Sequence, residues 1–239
     1  MFFLSSLDLL ALLVFITAWC AYAAALELSG AGRQSLNARM DRYRGVWMER
    51  MLARDMRMTD MQIMTSLQNG TAFFASTSLI AIGGAISMIR ATDEVVSLLS
   101  SLPFVAPASR IVWEIKVIGL VVIFVYAFFK FAWAYRLYNY VAIMLGATPF
   151  ASEKDGEEAQ AHIRRTTGLF ASAGRHFNRG QRAFFFALGY LGWFIGPVVL
   201  IISTIAVLIV MWRRQFVSDS LRAVADHEPP SPPRAGGAP

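Results

Sequence analysis

Few side chains in this sequence are suited to covalent or metal chemistry. There are three histidines, His162, His176 and His227, and one cysteine, Cys20, which excludes a clustered thiolate site and a disulfide within the chain. Glu158 and His162 are four residues apart and would share one helix face, but two ligands do not make a metal site. No Ser-His-Asp order with a GxSxG elbow occurs, nor a glycine-rich phosphate loop, nor an HExxH pair. No cofactor is therefore expected, and a non-catalytic role leads.

The remaining chemistry is that of charge at an apolar boundary. Asp8, Glu27, Glu114, Lys116 and Lys130 fall within or beside apolar runs, all near the ends of these runs. Arg110 precedes Glu114 by one turn and can pair with it, and Lys130 is close enough to an interface for its stem to snorkel. Arg54, Arg57, Arg179 and Arg182 are candidate contacts for lipid headgroups or a small anion. Asp60, Asn69, Asn139 and Asn178 are a candidate polar cap, because amides near a membrane edge must find partners.

The elements that must position these groups follow from composition. Of 239 residues, 56% are hydrophobic and only 16% charged, against about 25% charged in soluble domains. The mean hydropathy of +0.49 and apolar runs of membrane-spanning length exclude a water-soluble enzyme. The expected class is all-α, a polytopic membrane protein with four transmembrane helices and extended amphipathic cytoplasmic helices. The spans are placed at about 7–27, 71–89, 111–133 and 184–212, within a membrane domain covering 1–216. No Lys or Arg precedes Arg33, so the first span is read as a retained helix rather than a cleaved signal.

Small residues mark packing faces: Thr77, Ala81 and Ala85 at four-residue spacing, and the Gly192/Gly196 pair followed by Pro197, where a kink is expected. Trp113 and Trp133 are twenty positions apart and are assigned to the two interfacial belts. Residues 29–69 and 135–182 each contain seven Lys or Arg, while 90–110 contain only Arg90 and Arg110. This asymmetry predicts a protein of the cell inner membrane with the first and third connections cytoplasmic and the N-terminus outside. Arg213 and Arg214, just after the last span, pull against that assignment for the C-terminal side.

In the first connection Leu36, Met40, Tyr43, Trp47 and Met51 recur at helical spacing, forming a basic amphipathic helix that lies either on lipid or on another helix of the chain. A second helix is expected from a capping box at Thr59 and Gln62, with Met58 and Ile63 as a hydrophobic staple. In the third connection, Ser152 is a possible cap for a helix with acids first and bases later. Residues 226–239 are proline-rich and predicted to be disordered.

Several ordered motifs carry a resemblance. Tyr43-Arg44-Gly45-Val46-Trp47-Met48, Arg54-Asp55-Met56-Arg57-Met58-Thr59-Asp60 and the run Asn69 to Ser78 come first. Tyr138-Asn139-Tyr140, Gly146-Ala147-Thr148-Pro149, Phe177-Asn178-Arg179-Gly180, Arg182 to Ala187 and Trp193 to Pro197 follow. Together they resemble a bacterial and plant membrane family catalogued as a domain of unknown function, number five hundred and ninety-nine. The resemblance extends to about Phe216 and implies four spans with extended cytoplasmic helices, but no activity and no catalytic residue.

Three functional readings follow. The first is a structural, accessory or assembly protein whose partners are anionic lipid headgroups and another membrane subunit or a second copy. The second is a homo-oligomeric channel or transporter. The third is a membrane enzyme holding lipid phosphate with Arg54, Arg57 and Arg179. The net charge of +6 is assigned to headgroups, not to nucleic acid.

Overall fold

In lipid every backbone N–H and C=O must be satisfied within the protein, and long apolar runs free of proline meet that demand as helices. The computed structural model describes residues 4–94, 97 and 109–225, and among these no strand occurs. The proline-rich run 226–239 and most of 90–110 lie outside the described residues. Among the described residues the helices of seven residues or more are α1 (Ser6–Glu27), α2 (Leu36–Leu52), α3 (Met58–Arg90), α4 (Arg110–Gly146), α5 (Glu157–Tyr190), α6 (Pro197–Phe216) and α7 (Asp219–Ala225), and a single helical turn covers Gly192–Ile195. Four segments, Ser6–Glu27, Met58–Arg90, Arg110–Gly146 and Pro197–Val224, are long and apolar enough to cross a membrane.

Local chemistry sets several of the starts. Ser5 and Asp8 form a reciprocal capping box at α1, and Ser35 and Ser109 accept from the first turns of α2 and α4. Two expected starts differ. Helix α3 begins at Met58 with Arg57 as its cap residue, two positions before the expected cap Thr59, and the Arg57 head donates to the Thr148 and Pro149 carbonyls. Met58 and Ile63 are exposed and form no staple. Helix α5 starts after Gly156, while Glu153 closes a short turn by accepting from the Phe150 N–H at 3.2 Å.

Helices α3, α4 and α5 lie antiparallel along most of their lengths. On one side of α4, Trp113 meets Ala85, Phe131 stacks on Phe74 and Asn139 accepts from Gln68. On the other, Lys116 meets Trp193, Phe131 meets Phe177 and Tyr138 meets Phe170. With 37 residues α4 is about 55 Å long, against roughly 30 Å of hydrocarbon. It therefore serves two cores. One is aromatic and holds α1 and α6 against α4 and α5, around Phe15, Phe131, Phe186 and Trp193. The other is formed by Met48, Met51 and Met64 against Leu137, Val141 and Phe170, where α2 packs on α5. Trp47, on the predicted amphipathic stripe, packs on Phe170 of the same chain, whereas Met40 is exposed.

The segment 184–212 departs from the expected single kinked span. Its first part completes α5, the chain reverses over Leu191–Gly196, and α6 returns antiparallel. Phe185 faces Arg214, the Gly189 carbonyl accepts from Ser203 Oγ at 2.6 Å, and a Cβ on Gly192 would meet Val199 and Ser203. Pro197 is the first residue of α6, where no hydrogen bond within that helix needs its N–H, and so it starts a helix instead of kinking one. The chain consequently runs five times between two ends of the bundle. Asp8, Ala85, Trp113 and Trp193 lie at one end; Glu27, Arg179 and Met211 lie at the other.

Trp113 is also placed differently. It is 2% exposed and packs edge-on against Phe194, so only Trp133 of the expected pair presents its ring outward. On α3 the buried face is Thr71, Ser78 and Ala85, seven apart, with Thr77 and Ala81 flanking it.

Candidate functional site

Three polar clusters hold the ends of the helices together. At the Asp8 end, the Trp193 indole N–H donates to Asp8 Oδ1 at 2.7 Å, and Lys116 Nζ donates to the Trp193 carbonyl at 2.8 Å. Lys116 is 3% exposed and also lies 5.5 Å from the Trp193 ring centroid. The residue four ahead of Trp193, which in a continuous helix would supply an N–H to that carbonyl, is Pro197. Lys116 thus satisfies an acceptor that the proline leaves open. Nearby, Arg110 pairs with Glu114, as its spacing predicted, and with Asp93.

Beyond the opposite end, in the methionine-rich core, Asp60 is 1% exposed and its Oδ1 accepts from Trp47 Nε1 at 2.6 Å and from Arg54 at 2.8 Å. Arg57 donates to the Thr148 and Pro149 carbonyls, at the end of α4. Of the amides assigned to a polar cap, Asn139 accepts from Gln68 at 2.7 Å, while Asn69, one position on, is exposed. His162 Nε2 lies 2.9 Å from the Met144 carbonyl oxygen.

The third cluster surrounds a cavity of about 300 Å³ where α1 ends. Glu27 accepts from Arg179 through two nitrogens, at 3.0 and 2.5 Å, and from Arg182. Both arginines come from the face of α5 that also presents Arg175 and Asn178 to the cavity. Asp41 of α2 closes the other wall, paired with Arg44. Burial pushes the Asp41 carboxyl up from its ordinary value, while Arg44 and then Arg175 pull it down. Arg44 reaches this position across Gly174, where any Cβ would fall 2.7 Å from the guanidinium.

The four candidate arginines are thus divided. Arg54 and Arg57 belong to the methionine-rich core, and Arg179 and Arg182, with Asn178, belong to the cavity. Sequence reasoning missed the pairing of Glu27 with Arg179 and Arg182, residues more than 150 positions apart that no local spacing relates. It also missed Trp193 as the hub of the opposite cluster, although a proline four residues after a tryptophan leaves a carbonyl in need of a donor.

A family model described as "Protein of unknown function, DUF599" matches residues 10–220. No curated protein and no solved structure matches.

Proposed function

Because the chain belongs to the DUF599 family, whose description assigns no activity, we propose that it is an accessory or assembly protein of the inner membrane. It works by presenting a rigid helical cap to another membrane subunit. The observation that carries this reading is the continuity of α3, α4 and α5 from the aromatic core into the methionine-rich core. Three unbroken helices transmit position from bilayer to cap without a hinge between them. Methionine-rich surfaces adapt to partners, and the exposed Met40, Met56 and Met58 border this cap.

The orientation that fits best has the Asp8 end outside and the cap cytoplasmic. The support is the clustering of Arg and Lys at the Glu27 end, and α6 places Arg213 and Arg214 at that same end. The basic pair that conflicts with four crossings agrees with five.

Native mass measurement of the complex extracted in mild detergent, with co-purifying proteins identified, tests the role. A stoichiometric foreign subunit is expected; a ladder at multiples of 26.5 kDa without a partner overturns it and favours a pore between copies. For the orientation, cysteines placed in residues 36–57 and at Arg213 should both be shielded from an impermeant thiol reagent in intact cells. Labelling of both overturns the orientation, and labelling of one without the other refutes the five-crossing arrangement.

A further inference from the structure

We propose that the cavity at the end of α1 binds the phosphodiester of a membrane phospholipid. This inference rests on the membrane reading alone and is independent of the accessory role. Helix α1 has 22 residues, about 33 Å, so Glu27 lies at headgroup depth and the anion available there in quantity is the lipid phosphodiester.

The charge balance selects an anion. Arg175, Arg179 and Arg182 face Glu27 across the cavity, while Asp41 is paired from behind by Arg44, so two guanidinium charges are left over and a bound anion is favoured. A phosphodiester carries one negative charge. The donors are also available: Arg179 spends two nitrogens on Glu27 and Arg182 spends one, whereas each guanidinium has five N–H groups. Among the described residues no side-chain hydrogen bond engages Arg175 or Asn178. Glu27 therefore acts as a brace that holds two arginines in a fixed orientation, and Arg175 with Asn178 supplies the unspent donors. A volume of about 300 Å³ admits a phosphate with its first substituents but not two acyl chains, which would remain in the bilayer.

The test is native mass spectrometry of the full chain in detergent, titrated separately with phosphatidylethanolamine, phosphatidylglycerol, diacylglycerol and soluble glycerol 3-phosphate. One copy of either phospholipid should survive activation that strips diacylglycerol. Retention should fall about tenfold in the Arg175→Ala/Asn178→Ala variant, the loss expected for a charge-assisted contact. Arg175→Lys should recover part of it, and Arg213→Ala, outside the cavity, should leave it unchanged. Thermal melting of each variant separates lost binding from lost folding. Equal retention by a folded double variant overturns the site, as does diacylglycerol retained as well as the phospholipids. Glycerol 3-phosphate bound as tightly as phospholipid overturns the lipid source.

Discussion

Replacing Lys116 by methionine, which keeps most of the stem volume, removes the one donor that reaches the Trp193 carbonyl. Two consequences follow from the geometry. The carbonyl is left without a partner in a site that is 3% exposed at Lys116, and a buried unpaired acceptor costs about 1–3 kcal/mol. Asp8 also loses the nearby cation, although the Trp193 indole N–H still serves its carboxylate at 2.7 Å. Interhelical hydrogen bonds in membranes average only about 0.6 kcal/mol, with a maximum near 1.7, because the unfolded segments find other partners. Here Pro197 removes the N–H that would be the alternative, so the loss should lie at the upper end of that range, about 1.5–2 kcal/mol. Reversible unfolding in mixed micelles of increasing dodecyl sulfate, followed by tryptophan fluorescence, measures it. Lys116→Arg should lose less than half as much. If Lys116→Met unfolds within about 0.5 kcal/mol of the parent, the satisfaction argument is wrong and the lysine serves another purpose.

Further perturbations test other parts of the bundle. Gly180→Ala places a Cβ 2.7 Å from the fully buried Phe131 ring and should cost about 1–3 kcal/mol, whereas Gly174→Ala meets only the movable Arg44 head and should cost less than about 1 kcal/mol by the same unfolding assay. Glu27→Gln should lose about 0.5–1 kcal/mol, since the pair is about a third exposed and screened; a loss that persists unchanged at high salt would contradict a charge-based brace. Because burial raises the Asp41 carboxyl in the folded state, its contribution to stability is full below the ordinary carboxylate value and is lost as pH rises through the folded value. Melting curves across that window should therefore show a slope that Asp41→Asn abolishes.

Elements whose character comes from composition and period were legible before any coordinates. The apolar runs of α1, α3 and α4 read directly as spans, and the acids-then-bases order of residues 153–165 marked a helix. The fourth run reads as one span because 184–212 is continuous in hydropathy, and hydropathy does not register the reversal of direction at Gly192–Pro197. The conflict of Arg213 and Arg214 with the charge rule was the available clue. Of the candidate site, the types Arg179, Arg182 and Asn178 were visible, but not their assembly. That assembly depends on Glu27 at one end of the chain meeting α5 near the other, a long-range pairing set by the aromatic packing of Phe15 and Trp19 on Phe186.

The hairpin made by α5 and α6 also constrains how the protein is made. The apolar part of α5, from Ala183 to the turn at Ile195, is shorter than the roughly twenty residues that partition on their own. During synthesis this stretch leaves the ribosome before Pro197–Phe216 and cannot commit to the bilayer until that helix is available to pair with it. In the proposed five-crossing arrangement the two enter as one unit. The order of their emergence, and the small residues Gly189 and Gly192 that let them close on each other, are therefore requirements of biogenesis as well as of packing.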